Sequence, residues 1–351
     1  MLTDKTVVVT GGTGSLGKVL VRRLLSGEMG EPGRIVVFSR DEAKQHEMRL
    51  AYHSRRAATD EVIYSNFQRL LQFQIGDVRD SHAVTSVLRG ADVVFHAAAL
   101  KQVPACEYFP FEAVQTNIIG AENIISAIRE HRLPVETVVG ISTDKACKPV
   151  NVMGMTKAVQ ERLFVRANLG SETRFICVRY GNVLASRGSV IPLFHEQIKC
   201  GGPVTITTLD MTRFLLSLDR AVDIVFAALR HAHRGDTFVP HVPSARMSDL
   251  VAVLIGERRI DVNVTGIRPG EKEHEILVSE EEAPRTVARG DSYVIRPMLP
   301  ELRIADPDER GLSREYSSAD ELMSRDELEA LLRRHKLMVD DRLVFEEDLI
   351  A

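Results

Sequence analysis

The sequence predicts an α/β protein with a doubly wound parallel sheet, followed by a smaller C-terminal α/β domain. Three observations carry this. Six short β-branched runs, "KTVVVT", "RIVVFS", "LQFQIGD", "DVVFHAA", "ETVVGIS" and "RFICVRY", alternate with longer helix-patterned segments through the first half. The runs are continuously apolar rather than alternating, as expected of strands covered by helices on both faces. A glycine array follows the first run at once and opens a helical pattern.

That array, in "VVVTGGTGSLGKVL", places Gly12, Gly14 and Gly17 in Gly-x-Gly-x-x-Gly spacing. The first glycine suits a tight turn, the second admits a pyrophosphate to the backbone and the third allows helix–strand contact. The helix N–H groups then face the phosphates. Gly11, Thr13, Ser15 and Leu16 complete the candidate dinucleotide loop. The second strand ends in "VVFSRDEAK", where a strict NAD site would carry a carboxylate for the ribose 2′-hydroxyl. Ser39 and Arg40 stand there instead, with Lys44 one helical turn on, and this set suits a 2′-phosphate, favouring NADP. The competing reading makes Arg40 a solvated strand-end charge and Asp41 a helix cap. "GDVRD" after the third strand supplies Asp77 and Val78 at the adenine edge. "HAAALK" ends the fourth in Ala97, Ala98 and Ala99, small enough for a cofactor to lie close, with Lys101 beyond them near the entrance to a substrate pocket.

The fifth run leads into "STDK", so Ser142, Thr143, Asp144 and Lys145 belong at the carboxyl edge of the sheet, where open α/β folds bind ligands. Met153 and Lys157, four residues apart, share one face of the next helix, from which Lys157 can reach a nicotinamide ribose. Side chains adjacent in sequence usually diverge, so Asp144 and Lys145 act together only in a turn. Their competing reading is an exposed turn. Tyr180 closes the sixth run. The pattern then loosens through Glu280, with turn signals at Gly201-Gly202-Pro203 and Pro269-Gly270. Expected boundaries are 1–180 for the cofactor domain, to which some later segments return, and 181–280 for the substrate domain. Residues 281–351 read as an irregular connection and a C-terminal helix. Ser324 and Glu327 form a capping-box pattern ahead of Leu328, Leu331 and Leu332.

Composition bounds the partners. Forty-five basic and 49 acidic residues are spread along the 351-residue chain for a net charge of −4, so no basic face for nucleic acid is expected. Cys106, Cys147, Cys177 and Cys200 lie far apart and form no Cys-x-x-Cys pair, which disfavours a zinc site or disulfides and fits a reducing cytoplasm. No apolar run approaches the ~18 residues of a membrane helix. A cytoplasmic protein without membrane or metal is the expectation.

Taken together, "TGGTGSLG", "FSRDEAKQ", "GDVRD", "HAAALKQVPACEYFP", "TNIIGAENI", "STDKA", "RYGNVLASRGSVIPLF", "MTRF" and "RPGEKEHE" span almost the whole chain. With them it resembles the extended short-chain dehydrogenases/reductases, whose fold is Rossmann-like. More narrowly it is similar to the inverting UDP-N-acetylglucosamine 4,6-dehydratases of pseudaminic-acid and capsular-polysaccharide pathways. That superfamily normally carries Tyr-x-x-x-Lys; here Met153 stands for the tyrosine, as in the capsular type. The resemblance implies a redox-neutral cycle: hydride passes from sugar carbon 4 to NADP, a base removes the carbon 5 proton, water leaves carbon 6, and hydride returns to carbon 6. Lys145 is the implied base, needing a lowered pKa, and Asp144 the implied acid, needing a raised one. A thioether accepts no proton, so deprotonation of the 4-hydroxyl falls to another group or to water relayed through Thr143 or Lys157. Asn182 matches a phosphate-binding asparagine and Glu271 a ribose-binding carboxylate. Arg187, Arg213 and Arg268 suit the UDP diphosphate, Arg213 having the weakest claim because a packed-loop arginine often only pairs with a neighbour such as Asp210 or Asp219. The resemblance also implies a homo-oligomer of hexamer size. Added epimerase activity at carbon 3 or 5 stays open, as do two alternatives: a UDP-hexose 4-epimerase and a non-catalytic NADP-binding regulator.

Overall fold

Valine and isoleucine, stiff at χ1, favour the extended backbone over the helix, and the six β-branched runs are strands in the computed structural model, which describes residues 1–53, 61–184, 189–303 and 310–341. They are β1 (Thr6–Thr10), β2 (Arg34–Ser39), β3 (Leu71–Ile75), β4 (Val93–His96), β5 (Thr137–Ile141) and β6 (Arg174–Val178). Between them lie α1 (Ser15–Leu25), α2 (Glu42–His53), α3 (Glu61–Leu70), α4 (Ser81–Leu88), α5 (Val103–Tyr108), α6 (Pro110–Ala113), α7 (Gly120–His131) and α8 (Val152–Ala167). The parallel order is β3-β2-β1-β4-β5-β6. Strand order reverses at β1, so the crevice between β1 and β4 is the switch point where such sheets bind ligands.

Successive side chains of one strand serve opposite cores. Val7 and Val9 pack with Leu20, Leu24, Ile35 and Phe226, while Val8 packs with Val36, Phe38, Val84, Ile124 and Phe164. Both faces are therefore covered along the inner strands, which is why their runs carry no polar alternation, whereas the edge strand β3 alternates Leu71, Phe73 and Ile75 with Gln72 and Gln74.

Beyond β6 come β7 (Asn182–Val183), α9 (Val190–Lys199), β8 (Val204–Ile206), β9 (Thr212–Leu216), α10 (Leu218–His231), β10 (Thr237–Pro240), β11 (Ser244–Arg246), α11 (Met247–Ile255) and β12 (Val262–Val264). β13 (Ile276–Val278), β14 (Thr286–Arg289), β15 (Ser292–Ile295), β16 (Tyr316–Ser317) and α12 (Arg325–Arg334) follow. β10 returns to the main sheet parallel to β6, and β15 and β14 extend it antiparallel. Part of the segment expected to be irregular is thus a hairpin, whose four-residue strands are too short to show a period. A separate apolar core, including Phe194, Ile206, Leu215, Leu250, Leu254, Leu328 and Leu332, underlies the smaller lobe. The Ser324–Glu327 capping box forms at α12 as its sequence requires. No helix among the described residues is long and apolar enough to cross a membrane.

Candidate functional site

Building from β1 upward, the glycine loop is shaped by close approaches. Gly11 takes φ +67°, and a Cβ there would lie 2.7 Å from the Ala98 amide nitrogen. The left-handed turn therefore falls on Gly11, not on Gly12 as its place in the array suggested. Gly12 instead packs onto β2, where a Cβ would meet Val37 Cγ1 at 3.0 Å, and one on Gly17 would meet the Gly11 carbonyl oxygen at 2.5 Å. Helix α1 starts with Gly14 as its N-cap and no side-chain cap, so its first-turn N–H groups are left for a ligand.

These groups open into a cavity of about 590 Å³ along the carboxyl edge of the sheet. Every residue singled out for the cofactor lines it except Gly12: Gly11, Thr13, Gly14, Ser15, Leu16, Gly17, Ser39, Arg40, Lys44, Asp77, Val78, Ala97, Ala98, Ala99, Lys101, Lys157 and Tyr180. At one end Ser39 Oγ lies 2.8 Å from Thr13 Oγ1. Asp41 caps α2 by accepting the Lys44 N–H at 3.0 Å, and its carboxylate holds Lys44 Nζ at 3.1 Å. Arg40 is more than half exposed and 3.6 Å from Asp77, itself held by Arg79 at 2.7 Å. Burial pushes the Asp77 carboxyl up, but the hydrogen bonds from Arg79 bring it below its usual range. Asp41 is thus a helix cap, and Arg40 lines the cavity with much of its side chain exposed. A glycine cradle that a Cβ would fill, joined to an uncapped helix start, fits a dinucleotide.

At the other end, β5 runs into a single 3₁₀ turn, Asp144–Ala146, with Thr143 as its N-cap. The turn brings the adjacent Asp144 and Lys145 side chains together, as their joint action requires: Lys145 Nζ lies 3.1 Å from Asp144 Oδ1. Nζ is also 3.1 Å from Oε1 of Glu275, contributed by the smaller lobe. Thr143 Oγ1 donates to Asp144 Oδ1 at 2.8 Å. Asp144 and Glu275 are 1% and 2% exposed, yet Asp144 Oδ2 and Glu275 Oε2 have no hydrogen-bond partner among the described residues. Burial pulls the Lys145 amine down, but the two carboxylates outweigh it and hold the amine above its ordinary value. The lowered value expected of a lysine base is not what this resting arrangement gives.

Helix α8 is fused to that turn. Asn151 accepts the Gly154 N–H at 2.8 Å and donates to the Gly270 carbonyl at 2.8 Å. A Cβ on Gly154 would lie 2.1 Å from the Lys145 carbonyl oxygen, so only glycine lets helix and turn meet. Met153, buried with Cys106 and Ala113 against Leu100, Val103 and Val152, also lines the cavity. Lys157 is 5% exposed and donates to the Ile141 carbonyl at 2.8 Å and to Gln160 Oε1 at 2.9 Å. Burial brings its amine down to about 8. Behind it Ser142 Oγ donates to Glu161, which shares Arg179 with Glu282 at 2.6 and 2.7 Å.

Asn182 lines the same cavity with a buried Oδ1 that has no partner among the described residues. Arg187 lies outside the described residues. Arg213 spends its donors on the carbonyls of Thr212, Glu273 and Lys272 and stands 3.9 Å from Glu275. Its partners are thus this segment rather than Asp210 or Asp219. Arg268 is exposed, and Glu271 accepts from Thr207 at 3.5 Å; neither lines the cavity. Glu275 was missed: it sits in "RPGEKEHE" with two other glutamates, and nothing in the string marks which one reaches Lys145.

A family model described as "Polysaccharide biosynthesis protein" matches residues 7–297. A UDP-glucose 4-epimerase of Rickettsia conorii is 44% identical over 301 residues, 84% of either chain, and one of Rickettsia bellii is 43% identical over the same share. The X-ray structure of Pen from Bacillus thuringiensis superposes with a TM-score of 0.84 at 35% identity, covering 96% of this chain and 100% of that one. DesIV, a dTDP-glucose 4,6-dehydratase from Streptomyces venezuelae, shares the fold with a TM-score of 0.63 at 20% identity, over 76% of this chain and 86% of that one.

Proposed function

The chain belongs to the polysaccharide biosynthesis protein family, and within it we propose a nucleotide-sugar enzyme: an NADP-dependent UDP-N-acetylglucosamine 4,6-dehydratase that inverts carbon 5. The carrying observation is the Asp144–Lys145 pair, turned into the cavity with a buried carboxylate oxygen left without a partner. A reaction confined to carbon 4 has no use for such a pair. Bound NADP would supply a hydride acceptor at carbon 4 and a hydride donor at carbon 6. The glycine loop and α1 would hold its pyrophosphate, and Ser39, Arg40 and Lys44 its 2′-phosphate, while Asn182 faces the substrate phosphates.

In this reading Lys145, once neutral, takes the carbon 5 proton. The electron pair of that bond forms the carbon 5–carbon 6 double bond, and the 6-hydroxyl departs with a proton from Asp144, the one that its carboxylate took from the Lys145 ammonium across their resting contact. Thr143 is committed to Asp144 and Met153 accepts no proton. The 4-hydroxyl proton therefore goes to Lys157, whose amine burial has brought near neutrality. The neutral amine keeps its two N–H groups on Ile141 and Gln160, which leaves its lone pair to accept that proton.

A second reading, UDP-hexose 4-epimerase, draws on the names of the 44% identical relatives. Incubation with UDP-N-acetylglucosamine in deuterated water separates the two: loss of one water with deuterium at carbon 5 supports the dehydratase. A new stereoisomer of unchanged mass without deuterium overturns it. No turnover of any UDP-sugar would return the non-catalytic regulator. The exposed Tyr108, Phe109 and Phe111 agree with a homo-oligomer, which sedimentation tests.

A further inference from the structure

Lys145 is held from two lobes. Asp144 belongs to the turn after β5, whereas Glu275 stands just before β13 on a rigid mount. Its backbone N–H donates to Ser318 Oγ at 2.9 Å, and its carbonyl accepts the Ser318 N–H at 2.8 Å. Ser318 is fully buried and lies 2.6 Å from Thr212 Oγ1, which meets His274 Nδ1 at 2.9 Å. The Glu275 carboxylate is therefore brought to the lysine by a preset frame, not by a flexible chain end.

We propose that Glu275 is a positioning residue: with Asp144 it clamps the Lys145 ammonium between two buried carboxylates and so governs when that amine can act as a base. Both contacts are ion pairs of 3.1 Å, and the one to Asp144 is also a hydrogen bond. The other charges facing the cluster are Arg213, 3.9 Å from Glu275, and Lys272, whose Nζ donates to the Cys147 carbonyl at 2.5 Å. Helix α8 presents Gly154 here. Asp144 lines the cavity, and its free Oδ2 gives that carboxylate a second acceptor for an arriving hydroxyl. A sugar that takes it weakens the hold of Asp144 on Nζ and releases the amine. An opposite charge at this range is worth roughly one to three pH units to the group it faces.

The kinetic part of this proposal rests on the dehydratase reading; the clamp itself does not. The first experiment labels full-length protein with acetic anhydride from pH 7 to 11 and quantifies acetylation of Lys145 by peptide mass spectrometry, with exposed Lys199 as internal reference. In wild type the Lys145 midpoint should lie above an ordinary lysine's. Glu275→Gln should lower it by at least about one pH unit, a tenfold change in neutral amine at fixed pH. Glu275→Asp, which keeps the charge but draws it back, should give an intermediate midpoint. Equal midpoints in wild type and Glu275→Gln overturn the clamp. Should the Gln variant not fold, a wild-type midpoint in the Asp variant does the same. The second experiment follows deuterium entry at carbon 5 of UDP-N-acetylglucosamine. Its acid limb should move down in Glu275→Gln by the labelling shift, with kcat falling more than KM changes. A merely structural glutamate would lower the whole profile without moving it. A wild type that exchanges nothing sinks the proposed reaction, while labelling still judges the clamp.

Discussion

Replacing Lys157 by methionine should make the protein more stable while abolishing turnover. The side chain is 5% exposed, and burial lowers its amine from an ordinary 10.5 to about 8. At about 1.4 kcal/mol per pH unit, the folded state carries a penalty of about 3 kcal/mol wherever the lysine is charged in both states. Methionine removes the charge at similar length. It also removes the bonds to Ile141 and Gln160, but the Ile141 carbonyl keeps Gln160 Nε2 at 3.3 Å, so the loss is about 1 kcal/mol. The net gain at pH 7 is about 2 kcal/mol.

The sign with pH follows from the depressed value. Between about 8 and 10.5 the unfolded chain binds the proton that the folded chain has released, so wild-type stability rises with pH through that window. The advantage of Lys157→Met should therefore shrink by about 2 kcal/mol between pH 7 and pH 9.5. Urea denaturation of both proteins at the two pH values measures the difference, and other titrating groups cancel in it. A difference independent of pH refutes the claim that a buried charge sets it. Turnover that survives the substitution would remove Lys157 from the proton path.

Glu282 is held at about 2 by Arg179, against the burial that pushes it up. Glu282→Gln should cost about 3 kcal/mol at pH 7 in urea denaturation, with the cost fading as pH falls from 4.5 towards 2. Gly154→Ala forces a Cβ to 2.1 Å from the Lys145 carbonyl oxygen. It should destabilise by about 2 kcal/mol in thermal melts and slow dehydration by displacing the turn, whereas full activity would show that helix and turn can part. Arg40→Ala should weaken NADP about tenfold in binding titrations and leave NAD unchanged; equal losses would take Arg40 off the 2′-phosphate.

The parallel strands were legible because continuous β-branched runs have few other uses in a chain of this composition. The cofactor loop was legible as a spacing, but not in its dihedrals: with Gly11 and Gly12 adjacent, only the approach of Ala98 shows which takes the left-handed turn. The hairpin of β14 and β15 escaped because four residues on either side of Gly290-Asp291 carry no countable period. The charge on Lys145 escaped for a different reason. It is set by Glu275, remote in sequence, and long-range pairing leaves no trace in either local string.

Met153 shows how such a pairing changes the meaning of a motif. Read alone, a methionine in a tyrosine's place is a lost proton carrier. In the fold it belongs to an apolar seat with Cys106, Ala113 and Leu100, where a phenolic hydroxyl would need its own partner. One helical turn on, Lys157 is stripped of water, and that desolvation brings its amine near neutrality. Beyond β5 the second lysine is charged and clamped between carboxylates from two lobes. In the proposed reaction the two lysines divide the proton work by environment: the apolar pocket eases the loss of the Lys157 proton, and the clamp keeps Lys145 waiting for the sugar. A thioether at position 153 is then a working part of the pocket, because it adds apolar surface beside the path of the one amine that must lose its proton early.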